Sequence, residues 1–150
     1  MEHWRSNFKQ AASVAGAGAN ATQNSADFWN PTAMPISVIC TTANRSLAGT
    51  WTPSLQLKLP DPTLLATNPQ DPLAAYQGAG ARYINLWTAA AAIAAAGDFM
   101  YQLCEDAAAT VTQVTESKVV LLPPVYRLQF VYGGTGTFDL TAYVLHHADM

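Results

Sequence analysis

Apolar and polar side chains alternate with period two through the C-terminal third of the chain. Tyr126, Leu128, Phe130 and Tyr132 share one face, and after Gly133-Gly134-Thr135-Gly136 so do Phe138, Leu140, Ala142 and Val144. Arg127, Gln129, Asp139 and Thr141 take the opposite face. Alternation on both sides of a Gly-rich turn predicts an antiparallel hairpin with one buried face. The same signal recurs upstream. Ile36, Val38 and Cys40 alternate with Ser37, Ile39 and Thr41; Leu55, Leu57 and Leu59 form an inward row that Pro60 ends, because proline cannot donate to a ladder. Tyr83–Thr88, Phe99–Cys104 and Val119–Leu122 read as further strands, with a weaker one at Thr110–Thr115. About seven or eight short strands separated by turn signals predict an all-β, antiparallel β-sandwich, jelly-roll-like.

Three segments depart from this pattern. Residues 1–34 are rich in Ala, Gly, Asn, Ser and Gln, punctuated by Trp4, Phe8, Phe28 and Trp29. Such a composition builds no core of its own. It predicts an extended N-terminal arm with a short helix around residues 4–14, followed by a sandwich domain over 35–150; the alternative is a tail packed back on its own domain. Deleting residues 1–30 is then expected to leave the domain folded. Residues 60–81 form a long connection with Asp61-Pro62, Asn68-Pro69 and Asp71-Pro72 as turn initiators. Leu64, Leu65, Leu73 and Tyr76 would pack it down through a helical turn. The run from Ala89 to Ala96 fits either a short helix capped by Thr88 and stopped by Gly97 or a strand of small side chains. Strands on both sides favour the second.

Composition limits the chemistry. The 150 residues are 50% hydrophobic and only 11% charged, with a net charge of −3. One domain is the expectation for this length. The charge balance offers no footprint for nucleic acid, and no segment reaches the ~20 apolar residues that span a membrane. So few charges fit a surface that meets neighbours; a surface rich in Ser, Thr, Asn and Gln is the alternative. Cys40 and Cys104 fall in strands and read as reduced core thiols, with a disulfide as the other option. Without a secretory leader the Asn20 and Asn44 sequons are chance matches.

Motifs for catalysis are lacking. Gly16-Ala17-Gly18-Ala19-Asn20-Ala21 follows no strand, so its likeness to a dinucleotide fingerprint is accidental. Gly133–Gly136 lacks the lysine of a phosphate loop. His146 and His147 point to opposite faces of a strand, which suits one metal poorly; with Asp149 they would bind one only at an assembly axis. The acidic residues sit mostly in turns. The sequence therefore reads as a non-enzyme without cofactor or metal. Tyr83, Asn85 and Trp87 share parity, so an outward row would make a sugar platform or a protein interface, and an inward row would be core.

The order of these features resembles a family. Gly49-Thr50-Trp51-Thr52-Pro53 precedes a Leu-rich strand; Gly97-Asp98-Phe99-Met100-Tyr101-Gln102-Leu103 follows; Leu122-Pro123-Pro124-Val125-Tyr126-Arg127-Leu128 leads into the Gly-rich turn. Over residues 36–145 the chain is similar to small β-sandwich virion proteins of tailed bacteriophages. The resemblance implies a structural role in the virion, commonly capsid decoration (cement), with the major capsid protein or other virion proteins as partners and a homo-oligomer, a trimer among the options. It also implies synthesis in the host cytoplasm. A tail, neck or baseplate protein and a carbohydrate-binding module for host attachment are the alternatives. The interface residues expected are Trp4, Phe8, Phe28 and Trp29 of the arm, Leu64, Leu65, Leu73 and Tyr76 of the long loop, and Tyr83 and Trp87.

Overall fold

A computed structural model describes residues 8–17, 21–67, 69–70, 72–105 and 115–147. The protein is mostly β. Its strands are β1 (Phe8–Ala17), β2 (Thr22–Asn24), β3 (Phe28–Trp29), β4 (Ile36–Ala43), β5 (Thr50–Leu59), β6 (Arg82–Thr88), β7 (Gly97–Cys104), β8 (Glu116–Val119), β9 (Val125–Gly133) and β10 (Phe138–His146). Two short helices, α1 (Pro62–Thr67) and α2 (Pro72–Tyr76), lie between β5 and β6. One sheet, A, runs β1-β10-β4-β7-β8; the other, B, runs β2-β9-β5-β6, with β3 also paired to β9. All pairs are antiparallel except β7 with β8. The two sheets pack face to face as a sandwich.

The alternating stretch at the C-terminus is not a hairpin. β9 pairs with β5, β2 and β3 in sheet B, while β10 pairs with β1 and β4 in sheet A. The predicted faces are right: Tyr126, Leu128, Phe130, Tyr132, Phe138, Leu140, Ala142 and Val144 are all buried. They meet across the sandwich instead of side by side. Period two reports which face is buried, not which strand is the neighbour. The Gly-rich link is therefore an arch from one sheet to the other. Gly134, at φ 86°, sits with its α-carbon so close to the Ala48 carbonyl that an added Cβ would lie 2.1 Å from the oxygen. Tyr132 Oη donates to the Gly136 carbonyl at 2.7 Å and closes the arch.

Ten strands replace the expected seven or eight because residues 8–34 supply three. β1 covers the edge of β10, and β2 and β3 lie along β9. This overturns the extended arm for residues 8–34 and the expected helix from residue 8 to 14, in favour of a segment packed on its own domain; residues 4–7 of that helix lie outside the described residues. Its small residues carry too little apolar mass to signal a strand, but they satisfy the β10 ladder and let Ala11 be buried. Deleting residues 1–30 would strip three paired strands, so the domain is not expected to survive it.

The Ala89–Ala96 run is neither regular helix nor regular strand. Ala89 N donates to the Pro53 carbonyl, and Trp51 and Ile93 exchange both backbone bonds. Pro53 has no N–H to continue the ladder between them. The weak strand expected at 110–115 falls largely outside the described residues. The strand expected at 119–122 is shifted to Glu116–Val119, parallel to β7. Cys40 and Cys104 are buried thiols and no disulfide joins them.

Three polar contacts tie the layers together. Trp51 Nε1 of sheet B donates to the Phe138 carbonyl of sheet A at 2.9 Å. Tyr126 Oη lies 2.5 Å from His146 Nε2 across the core. Trp87 Nε1 donates to Glu116 Oε1 at 3.0 Å, and Ala90 N donates to the other carboxylate oxygen at 2.8 Å.

Candidate functional site

The β5–β6 connection folds back as a flap organised by one carboxylate. Pro60 ends β5, and Asp61 follows at the start of α1 with Pro62 behind it, the pairing of an acidic cap with proline in the first helical turn. Asp61 Oδ1 accepts from Thr63 N at 2.9 Å, and Oδ2 accepts from Gly80 N at 2.9 Å. The Asp61 amide donates to the Ala75 carbonyl of α2 at 2.8 Å. One residue thus joins both helices and the return of the chain to β6. A Cβ at Gly80 would stand 2.8 Å from the Asp61 carboxyl carbon, so only glycine permits this approach. Donation from Gly80, then from Thr63 and Leu64, holds the Asp61 carboxyl below its ordinary pKa against the opposing effect of burial. Asp61→Ala is expected to release the flap while the sandwich stays folded. Limited proteolysis should then cut between residues 60 and 81 faster by roughly an order of magnitude, since opening becomes local; an unchanged cleavage rate would show that the flap is held by other contacts.

What the flap presents is apolar. Leu64, Leu65 and Leu73 are 38%, 36% and 46% exposed on α1 and α2. Trp29, 47% exposed, packs edge-on against Tyr76 of α2 with ring centroids 5.9 Å apart. Residues from two segments far apart in sequence therefore meet at one end of sheet B. Phe28, the neighbour of Trp29, points the other way into the core, against Tyr126 at 5.5 Å and His146 at 6.4 Å. Strand alternation separates the two: Phe28 is part of the core and Trp29 part of the surface. Trp4 and the Phe8 side chain lie outside the described residues.

A β-bulge splits the Tyr83–Asn85–Trp87 row. Leu55 pairs with Trp87 and Gln56 with Asn85, which leaves Leu86 without an opposite number. One extra residue reverses the facing of everything beyond it. Trp87 therefore turns inward, 4% exposed and 5.4 Å from the Tyr101 ring, while Tyr83 stays on the outer face. The row is therefore neither a single outward platform nor a single inward core row.

Tyr83 instead belongs to a polar strip across the outer face of sheet B. Gln129 Nε2 donates to Asn24 Oδ1 at 3.0 Å, Gln56 Nε2 to Gln129 Oε1 at 3.3 Å, and Arg127 Nε to Gln56 Oε1 at 2.7 Å. The Arg127 guanidinium lies 3.5 Å over the centroid of the Tyr83 ring. Tyr83 Oη donates to Asp27 Oδ1 at 2.7 Å, and Lys58 Nζ meets Asp27 Oδ2 at 2.5 Å. Burial, then the Asp27 carboxylate, raises the Tyr83 pKa and keeps the hydroxyl a donor. Burial works against the Lys58 ammonium, but the bond to Asp27 and its charge outweigh it and raise the Lys58 pKa. Sequence reasoning passed over Asp27, Lys58 and Asp61. Only Asp61 carried a local signal, the Asp-Pro pair; the strip is assembled by strand register.

His146 and His147 do face opposite ways. His146 is turned into the core, and His147 lies 2.6 Å from the Ser37 hydroxyl. Asp149 lies outside the described residues. Among the described residues no group of three or more His, Cys, Asp or Glu could hold a metal ion, and no helix is long and apolar enough to cross a membrane. No family model matches the chain, and neither a curated protein nor a solved structure matches it.

Proposed function

We propose that the protein is a structural component of a tailed-phage virion, a capsid decoration protein that binds the assembled shell through the flap end of sheet B. The observation that carries this reading is the exposed apolar group Leu64, Leu65 and Leu73 on the flap organised by the Asp61 bonds, with Trp29 packed against the Tyr76 ring beside it. Exposed apolar side chains fixed on a rigid support mark a docking surface, because preorganised side chains lose little freedom on binding.

The strand order supports it. With β3 and β8 set aside, the sheets run β1-β10-β4-β7 and β2-β9-β5-β6, an order we read as that of a jelly roll. Jelly rolls recur in viral capsids and in lectins, an analogy of fold alone. A decoration protein stabilises by mass action, binding the assembled lattice in preference to its parts.

Leu64→Asp combined with Leu65→Asp tests the reading. Both side chains are exposed, so the variant should fold as the wild type does, by circular dichroism and by its urea midpoint. Its incorporation into particles should fall at least tenfold, about 1.4 kcal/mol or more of lost docking free energy. Wild-type incorporation of a folded variant would refute the flap as the docking surface.

A further inference from the structure

The polar strip contains a cation without a counter-ion. Asp27 is the one carboxylate in it, and both its oxygens are engaged, one by Lys58 and the other by Tyr83. Among the described residues the Lys58–Asp27 pair is the sole salt bridge. Arg127 uses its Nε on Gln56 and its face on Tyr83, and its two terminal amino groups meet no acceptor among the described residues.

The guanidinium is nevertheless fixed. Stacking at 3.5 Å holds its plane, Gln56 holds its inner edge, and Gln129 and Asn24 hold Gln56 in turn. A guanidinium so oriented presents a two-pronged donor with its conformational cost already met, the arrangement that recognises a two-oxygen acid. Lys58, Arg127 and Asp27 sum to one net positive charge, which a single carboxylate balances; a phosphate dianion would leave one negative charge uncompensated beside Asp27. The strip lies on a sheet face, with Tyr83 and Arg127 only partly buried, which suits a side chain delivered by a macromolecule better than an enclosed small molecule.

The site is also continuous with the flap. Val125 and Arg127 are two residues apart on β9 and so face the same way, and Val125 is paired with Trp29. We propose that Arg127, braced by Tyr83 and Gln56, is the anchor for one acidic side chain of a protein partner docked on the outer face of sheet B. This rests on the shell-binding reading for the identity of the partner but not for the chemistry of the site.

Two measurements on the full chain test it. In an NMR titration at constant ionic strength, sodium acetate replacing sodium chloride should shift the Arg127 Nε–H and the Gln56 side-chain amide saturably, and Arg127→Lys should abolish the response at Gln56. Shifts no larger than those of the exposed Arg82 would overturn the anchor. A response saturating at lower concentration with inorganic phosphate, or with a sialic acid, would overturn the assignment to a protein carboxylate. In particles, Arg127→Lys should lower incorporation at least tenfold although the charge is kept. Wild-type incorporation of Arg127→Lys, with loss in the Leu64→Asp/Leu65→Asp variant, would leave shell binding standing and remove the anchor. Loss in neither variant would remove the shell-binding surface, while the acetate titration still decides the site.

Discussion

Trp51→Ala is expected to lower the unfolding free energy by about 4–6 kcal/mol. Trp51 is completely buried, with its ring edge-on to Tyr132 at 5.1 Å and its indole N–H on the Phe138 carbonyl. Removing an aromatic ring of this kind costs about 3–5 kcal/mol in lost transfer and cavity terms. The orphaned Phe138 carbonyl adds about 1 kcal/mol or more, because water reaches it poorly in the core. Domains of this size are typically stable by about 5–15 kcal/mol, so the variant should stand near the edge of folding. Trp51→Phe keeps most of the ring and loses only the bond, and should cost about 1–2 kcal/mol. Urea denaturation of the three proteins separates the two contributions. A Trp51→Ala cost below about 1.5 kcal/mol, the scale of a single hydrogen bond, would mean that the indole is not the central joint between the sheets.

Acid should destabilise the fold from about pH 6.5 downwards, through a buried histidine. His146 is buried between the sheets beside Tyr126 and Phe28, and burial pushes its pKa down from 6.5 to about 4, with Lys9 and His147 adding repulsion. The unfolded chain therefore takes up the proton more readily than the folded one. Stability is full above about pH 6.5, falls as the pH drops towards 4, and levels off for this group below that. The total is on the order of 3–4 kcal/mol, at 1.36 kcal/mol per pKa unit. Burial depresses His147 in the same direction. Asp61 and Asp139 act lower, since both carboxyls are held below their ordinary value and lose their contribution only as the pH falls through it. Melting curves between pH 7 and 4 check this. His146→Gln, which keeps a partner for Tyr126, should flatten most of the slope; an unchanged slope would assign the acid sensitivity to other groups.

Much of the architecture is legible in the sequence, and the misreadings have specific causes. Period two located the inward residues of β4, β9 and β10, because a sandwich buries one face of each strand; in β5 it was right for Leu55, while Leu57 and Leu59 are only partly buried. It could not reveal that β9 and β10 belong to different sheets, since an arch and a hairpin share the same alternation and the same glycines. β1 escaped notice because its Ala, Ser and Gly residues carry little apolar bulk, and its register with β10 is broken at Ala11 and again between Val14 and Ala17. Parity placed Trp87 with Tyr83 until the bulge at Leu86 separated them. Of the candidate site, the Trp29 and Tyr76 rings were visible as residues, but their meeting depends on β3 pairing at the start of β9. The Arg127–Tyr83 stack depends on the register of three strands and leaves no local trace.

Quantitative mass spectrometry of purified phage particles tests the proposed structural role on the virion. A capsid decoration protein should be present at hundreds of copies per particle, the stoichiometry of a repeating head shell. Six or twelve copies would move it to the neck or baseplate, and its absence from particles would rule out a virion role.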